Sequence, residues 1–134
     1  MRYFLAKTDP DTYAISDLER DRRTIWDGVR NAQAVAVIRT MGPGDRVLIY
    51  HSQGQSSITG LAEVVSAPRP DANEPKSWVV EVRFLRRIEP PIGLRQIKET
   101  HQFDDWSLIR QSRLSTMAVP DSFVAWLRAQ GALE

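Results

Sequence analysis

The sequence predicts an α+β fold, a small and mostly antiparallel β-barrel with short helices packed around it. Two segments rich in β-branched and apolar residues, 46–51 and 57–65, are joined by a loop short enough for a hairpin. Apolar and charged residues alternate over 80–85, the pattern of a half-buried strand. Predicted helices lie between the predicted strands, but they do not follow the regular strand–helix alternation of a parallel sheet. These observations favour a curled antiparallel sheet.

The first part of the chain predicts one strand and two helices. Residues 3–6 are apolar and stop at a proline- and aspartate-rich turn, which indicates a buried strand that ends in a loop. Ser16 and Glu19 match a capping box and predict a helix over 16–22. A second helix is predicted after Asn31, which is its expected N-cap. Trp26 is therefore expected just before the start of this helix.

The middle of the chain predicts strands separated by turns. A glycine- and proline-rich turn at 41–45 precedes the strand 46–51, which pairs with 57–65. The polar, proline-bearing stretch 68–76 is predicted to be an exposed loop. A strand over 80–85 follows, and we expect it to end at the prolines of 89–91.

The last third predicts mainly helical structure around the barrel. Short helices are expected at 93–99 and 104–110, followed by an extended segment at 114–119. Over 121–130, Phe123, Trp126 and Leu127 recur on one helical face, and Gly131 suits the position after a helix end. We expect this last helix to cover the core.

Composition excludes several classes of protein. A length of 134 residues suits a single domain over 1–134 with an adequate core. The absence of cysteine excludes disulfides, thiolate metal sites and thiol nucleophiles. A net charge of +1 argues against a protein that holds duplex DNA mainly by counterion release. No apolar run is long enough to span a bilayer, and we expect a cytoplasmic protein.

The four tryptophans divide into two pairs. Trp126 lies on the apolar helix face and Trp106 precedes a helical patch, so both are predicted to pack in the core. Trp26 and Trp78 stand instead beside polar and turn-forming residues. Large rings in such places are typical of residues that line a site.

Six ordered segments of this chain resemble one known family. They are YFLAKTDP (3–10), WDGVRN (26–31), GD (44–45), YHS (50–52), GLAEV (60–64) and RLS (113–115). In order and spacing they strongly resemble the EVE domain, and the likeness covers nearly the whole chain. The resemblance implies a PUA-like pseudo-barrel related to YTH domains, which hold a methylated adenine of RNA between tryptophan rings.

The resemblance also implies a function, the reading of a modified base of DNA or RNA that is flipped or single-stranded. Trp26 matches the tryptophan after the first helix of the family, and Trp78 fits the second wall of the pocket by position. The expected nucleic-acid-binding residues are Lys7, Thr8, Trp26, Arg30, Asn31, His51, Ser52, Trp78, Arg110, Arg113 and Ser115.

These residues have distinct expected roles. Asn31, Thr8 and Ser52 offer hydrogen-bond donors and acceptors to the edge of a base, and His51 is expected to line the pocket or support it. Lys7 and the arginines are expected to hold flanking phosphates, Arg113 together with Ser115 through the RLS motif. The alternative for the arginines is a set of surface ion pairs with Asp27, Asp104 and Asp105.

Two other functions remain open from sequence, an enzyme acting on a modified base or nucleotide, and a protein-interaction domain. His51 and Ser52 are adjacent, and neighbours on a strand point to opposite faces, which disfavours a catalytic dyad. Two histidines without cysteine do not form a metal-binding motif. No phosphate-binding glycine loop occurs. We therefore expect no cofactor, no metal and no catalytic residues, and a monomer.

Overall fold

The computed structural model describes residues 1–133, which form seven strands and five helices. The strands are β1 (Tyr3–Thr8), β2 (Arg23–Trp26), β3 (Arg46–His51), β4 (Ser57–Val64), β5 (Arg69–Asp71), β6 (Glu74–Gly93) and β7 (Thr116–Ala118). The helices are α1 (Ile15–Asp21), α2 (Ala32–Ile38), α3 (Leu94–Glu99), α4 (Ser107–Arg110) and α5 (Asp121–Ala129). None of these helices is long and apolar enough to cross a membrane.

All seven strands belong to one sheet. Its order is β2-β6-β4-β3-β1-β7, and β5 pairs with β6 beside this path. Every pairing is antiparallel except β1 with β3, which lie parallel because α1, β2 and α2 form the connection between them. The predicted α+β class with a mostly antiparallel sheet is confirmed.

The core lies between the central strands and the surrounding helices. β4 is buried at seven of its eight positions, so both of its faces are covered. Phe123 and Leu127 of α5 have no exposed surface, as the apolar face predicted. Gly131, with φ +77°, follows the end of α5, and the Ala132 amide donates to the Leu127 carbonyl at 3.0 Å. This closes the helix in a Schellman motif, as the glycine indicated.

Helix α1 begins one residue earlier than predicted, and a different residue caps it. The N-cap is Ala14, whose amide donates to Asp17 Oδ2 at 2.8 Å. The capping box of Ser16 and Glu19 was therefore wrong. Glu19 instead accepts a hydrogen bond from Arg87 Nε at 2.7 Å, a contact across 68 residues that no local pattern reveals.

Strand β2 was not predicted. Trp26 lies at the end of this strand, opposite Val80 of β6, and not at a helix entrance. The neighbouring Ile25 points outward and is 46% exposed. A four-residue edge strand with exposed alternate positions carries too few apolar residues to be recognised by periodicity.

Strand β6 is longer at both ends than predicted. The expected loop 68–76 contains β5 and the start of β6, which form a hairpin. The prolines of 89–91 do not end the strand, which continues to Gly93. The register jumps there: Gly60 of β4 faces Arg87 and Ile58 faces Ile92. A bulge of this size removes the prolines from the hydrogen-bond ladder, where they could not donate.

Candidate functional site

A cleft beside Trp26 opens where the end of β1 approaches the loop between β2 and α2. We call it the Trp26 cleft. It has a volume of about 310 Å³, and its lining includes Lys7, Thr8, Tyr13, Trp26, Asp27 and Ser115. This volume lies at the lower end of the range of small-molecule sites, which is roughly 300–1,000 Å³. The cleft is large enough for a single flat ring and its substituents.

Trp26 is half-buried and is held by a second aromatic ring. The Tyr13 ring meets it edge to face, with ring centroids 6.4 Å apart and an interplanar angle of 83°. Tyr13 is fixed in turn, because its hydroxyl donates to Asp21 Oδ2 at 2.9 Å and its carbonyl accepts from Thr8 Oγ1 at 2.8 Å. Burial raises the pKa of Tyr13, which keeps the phenol neutral. The indole therefore has a defined orientation in the cleft wall.

The loop after Trp26 is shaped by its backbone. Gly28 has φ +76°, a conformation that residues with a Cβ atom rarely adopt. Ser77 Oγ of β6 donates to the Val29 carbonyl at 2.5 Å and ties the loop to the sheet. Asn31 Oδ1 accepts from the Gln33 and Ala34 amides at 2.9 and 3.0 Å, so the predicted N-cap is confirmed. The Asn31 side-chain oxygen is thus used to start α2.

Lys7 provides the positive group of the cleft. Its ammonium donates to the Ser112 carbonyl at 3.0 Å and lies 5.6 Å from the Tyr50 ring centroid. Burial lowers the pKa of Lys7 from its ordinary value. The Lys7 amide also donates to the Ser115 carbonyl at 2.8 Å, which holds β1 against the segment that carries the RLS motif. Lys7, Thr8 and Ser115 therefore meet at one end of the cleft.

The structure does not bring Trp78 to the cleft. Trp78 lies on β6 opposite Pro70 of the short hairpin strand β5. The Arg39 guanidinium lies 4.5 Å from its ring centroid and covers it. Trp78 is not among the described residues that line the Trp26 cleft. The aromatic partner of Trp26 in this structure is Tyr13.

His51 and Ser52 form hydrogen bonds with backbone groups of residues next to the cleft. His51 Nε2 accepts from the Ile15 amide at 3.1 Å, and burial lowers the pKa of its imidazole. The Ser52 amide donates to the Thr8 carbonyl at 3.0 Å. His51 thus fixes the start of α1, next to Tyr13, and Ser52 fixes the end of β1.

The three predicted arginines are on the surface outside the cleft lining. Arg30 Nε lies 3.4 Å from Glu74 Oε2, and Arg110 Nη1 lies 3.4 Å from Asp105 Oδ1, one of the ion pairs considered from sequence. Arg113 is exposed, and no carboxylate of residues 1–133 lies within 4.0 Å of it.

Sequence reasoning missed Tyr13, Thr24 and Val29 as parts of the cleft wall. No local signal marks Tyr13 or Thr24, because a tyrosine after a turn and a threonine in an edge strand are common in any fold; Val29 lies in the WDGVRN segment and could have been named from it. Tyr13 and Thr24 reach the cleft only through the packing of α1 and β2.

The cleft combines one aromatic wall with groups of opposite hydrogen-bonding character. Lys7 donates and Asp27 accepts; Thr8 Oγ1 can also accept, since its hydrogen is donated to the Tyr13 carbonyl. Such a set suits a flat polar heterocycle better than a purely apolar ligand. Within residues 1–133, no group of three or more histidine, aspartate or glutamate side chains is placed to hold a metal ion.

The sequence matches the family model of the EVE domain over residues 2–130. It is similar to thymocyte nuclear protein 1 of Rattus norvegicus, with 31% identity, 75% of this chain covered and 57% of the rat protein covered. The Homo sapiens protein is 30% identical with the same coverage. The chain thus spans a little over half the length of these curated relatives.

The fold is likewise similar to solved structures. A protein from Pseudomonas syringae has a TM-score of 0.88 and 31% identity, with 96% of this chain and 98% of that chain covered. Human THYN1 protein in complex with 5-methylcytosine-containing DNA has a TM-score of 0.89 and 25% identity, with 100% and 99% covered. A mutant of the ZmASCH protein from Zymomonas mobilis, at 12% identity and a TM-score of 0.61, shares the fold alone. The fold is PUA-like as expected, and the chain belongs to the EVE domain family.

Proposed function

We propose that this chain is a nucleic-acid-binding reader that captures a modified base, with 5-methylcytosine in DNA as the first candidate. One chain acts alone, and the base leaves its stack to enter the Trp26 cleft. The observation that carries the proposal is the accessible indole of Trp26 beside a cleft of about 310 Å³. The likeness over the whole chain to human THYN1 protein, solved with 5-methylcytosine-containing DNA, supports the choice of ligand.

Stacking supplies most of the affinity in this proposal. Each contact between a base and an aromatic ring is worth roughly 1 to 3 kcal/mol in proteins that bind single strands. Taking a base out of a duplex costs a few kcal/mol, and the cost is least for an unpaired or poorly paired base. Since Trp26 is the one tryptophan among the described residues that line the cleft, stacking on it barely offsets this cost. Polar contacts from Lys7, Thr8 and Asp27 must complete the binding.

Discrimination for the methyl group is modest on this account. Burial of one methyl carbon contributes about 0.8 kcal/mol, which corresponds to roughly a fourfold preference. A larger preference requires that the unmodified base leave the cleft poorly filled. We therefore expect the protein to bind unmodified cytosine measurably, and a modified cytosine several-fold better.

The test compares Trp26→Ala with the wild type in fluorescence-anisotropy titrations. The probes are matched oligonucleotides with cytosine or 5-methylcytosine at one position, single-stranded and duplex, at fixed salt. Loss of one stacking contact predicts at least about a fivefold weaker binding of the methylated probe. Trp126→Phe is the control, because Trp126 packs against Phe103 and Phe123, does not line the Trp26 cleft, and is replaced by another aromatic ring.

Equal affinity of Trp26→Ala and wild type for every probe would contradict the proposed site. Trp78→Ala separates the two tryptophans: on this proposal it changes affinity less than Trp26→Ala does. Product formed from a modified nucleoside or oligonucleotide in the same samples would replace the reader by an enzyme. Saturable binding without product supports the reader.

A further inference from the structure

A second cavity, which we call the arginine pocket, is lined by three arginines. Its volume is about 500 Å³, and the three arginines are Arg46, Arg86 and Arg128. Tyr3 and the apolar side chains of Leu61 and Leu85 contribute to its walls. No lining residue is shared between this pocket and the Trp26 cleft. The arginine pocket is therefore a separate feature of the molecule.

The strand pairing brings these residues together. Arg46 at the start of β3 faces Tyr3 of β1, and Arg86 of β6 faces Leu61 of β4. Arg128 comes from the last turn of α5, and its guanidinium lies 6.0 Å from the Tyr3 ring centroid. Two of the arginines thus stand on the sheet, and the third reaches over from the helix that covers the core.

The charges around the pocket are not balanced by the described residues. Arg46 lies 3.2 Å from Glu63, but the same carboxylate also accepts a hydrogen bond from Arg83, which lowers its pKa. Arg86 donates to the Ala132 carbonyl, a neutral group. Among residues 1–133, no carboxylate lies within 4.0 Å of Arg86 or Arg128. Among residues 1–133, Arg46 therefore shares Glu63 with Arg83, and Arg86 and Arg128 have no carboxylate partner.

Two of the three lining arginines thus have no carboxylate partner among residues 1–133, in a chain whose net charge is only +1. Clustered cations that lack counterions raise the free energy of the folded state through their mutual repulsion. A bound anion relieves this repulsion. The planar guanidinium fork matches the oxygens of phosphate, and a phosphate presents enough oxygens to engage more than one fork.

The apolar walls restrict the ligand further. A free inorganic anion would make no use of Leu61, Leu85 or the ring of Tyr3. A phosphate ester uses both parts of the lining, because its charged head meets the arginines while its organic body packs on the apolar side chains.

We propose that the arginine pocket is a second binding site of this protein and that it takes a phosphate ester. The phosphate belongs either to a free mononucleotide or to the backbone or end of a nucleic-acid strand. The proposal does not depend on what binds in the Trp26 cleft.

The test measures the binding of three unmodified probes by isothermal titration calorimetry at fixed, low salt. The probes are inorganic phosphate, a nucleoside 5′-monophosphate and a short single strand with a 5′-phosphate. We expect the monophosphate to bind more tightly than inorganic phosphate. Arg128→Gln and Arg86→Gln each weaken this binding by about tenfold or more, since each removes a charge-assisted hydrogen-bond donor.

One control variant and a choice between the two test variants keep the test decisive. Arg95→Gln removes an exposed arginine of α3 that lines neither the arginine pocket nor the Trp26 cleft and lies 3.9 Å from Glu99. It should leave the affinity unchanged apart from a small general charge effect. Arg128→Gln is preferred to Arg86→Gln if the melting temperature of the latter falls, because Arg128 does not bond the carbonyl near the chain end.

The comparison of probes identifies the source of the phosphate. A monophosphate that binds as well as the strand indicates a free mononucleotide, and a strand that binds much better indicates nucleic acid. The proposal fails if wild type binds none of the three probes in the millimolar range. It also fails if Trp26→Ala abolishes the binding while Arg128→Gln leaves it intact, since the ligand would then occupy the Trp26 cleft.

Discussion

The Tyr13 ring meets the Trp26 ring edge to face at 6.4 Å and 83°. An edge-to-face aromatic pair contributes about 0.5–1.5 kcal/mol beyond the burial of its area. Because Trp26 stands at the end of an edge strand, we infer that Tyr13 holds the indole in position for stacking.

Removal of the Tyr13 ring should therefore weaken nucleic-acid binding, because the ring supports Trp26 and itself lines the cleft. For Tyr13→Ala we expect about a 2- to 12-fold loss of affinity for the methylated probe in anisotropy titrations. Tyr13→Phe keeps the ring and loses only the hydroxyl that donates to Asp21 Oδ2, so its affinity should stay close to wild type. A Tyr13→Phe variant as weak as Tyr13→Ala would show that the hydroxyl is the important group.

Gly28 should be required because of its backbone conformation in the cleft wall, and not because a larger side chain would clash. A Cβ atom at this position would meet no atom within 4 Å, but the φ of +76° is strained for residues with side chains. We expect Gly28→Ala to lower the free energy of unfolding by about 1–2 kcal/mol in urea titrations. Gly28→Asn should lose less, because asparagine tolerates this conformation. Equal stability of Gly28→Ala and wild type would show that the loop changes its path at little cost.

Gly60 should be required because neighbouring atoms leave no room for a side chain at this position. A Cβ atom there would lie 2.2 Å from Ile15 Cδ1 and 3.3 Å from the Arg86 carbonyl oxygen. Overpacking of this kind costs about 1–3 kcal/mol, and we expect Gly60→Ala to lower the free energy of unfolding by that amount. Gly93→Ala is the control, since its added Cβ meets no atom within 4 Å, and should change stability by less than about 0.5 kcal/mol.

A double-mutant cycle locates the clash of Gly60→Ala. If the side chain of Ile15 causes it, Gly60→Ala should cost less in an Ile15→Ala background than in wild type. Equal costs in both backgrounds would place the strain in the backbone of β6 instead.

His51 should make the stability of the protein depend on pH. Burial lowers the pKa of His51 below its ordinary value of 6.5, so the unfolded chain takes up the proton more readily than the folded chain. The free energy of unfolding therefore falls as the pH drops below about 6.5, and the loss ends below the folded-state pKa. In the folded chain, a proton on Nε2 would also break the bond from the Ile15 amide.

The pH test is a comparison of urea midpoints between pH 8 and pH 5. His51→Gln should lose less stability than wild type over this interval, because its amide does not titrate. His101→Asn is the matched control, since His101 is exposed and interacts with Asp104 at 3.4 Å. It should keep the wild-type dependence on pH, and a His51→Gln curve parallel to wild type would rule out His51 as the titrating group.

Lys7 should contribute to the salt dependence of nucleic-acid binding. Each phosphate contact adds about 0.7 to the slope of log affinity against log salt for single strands, and about 0.9 for duplex DNA. If Lys7 meets a phosphate, Lys7→Gln should weaken binding and reduce the slope by about one such unit. Lys98→Gln, an exposed change on α3, should leave the slope unchanged. A weaker binding of Lys7→Gln with an unaltered slope would instead indicate a contact to the base.

Local patterns were sufficient for most of the elements. The alternation over 80–85, the apolar face of α5 and the cap at Asn31 all depend on residues within a few positions of one another. Strand period, helix period and capping geometry are short-range properties of the backbone, so the sequence displays them directly. The edge strand β2 was missed because its two outward positions are exposed.

The candidate site was predictable only in part. Trp26 was singled out because a large ring stood among turn residues, and it does line a cleft. Trp78 was chosen on the same ground, but it packs under Arg39 on the β5–β6 hairpin. The aromatic partner of Trp26 is Tyr13, which lies thirteen residues earlier in the chain and is separated from Trp26 by helix α1.

By itself, the sequence determined the α+β class, the elements with strong periodicity and the membership of the EVE domain family. Only the tertiary structure decided which side chains surround Trp26 and that three arginines meet at the separate arginine pocket. The physical reason is the range of the interactions. Trp26 takes its place from pairing with Val80, and Arg46 and Arg86 are brought together by strands that pair across the sheet. A cavity is the space left between such distant segments, and no local pattern encodes it.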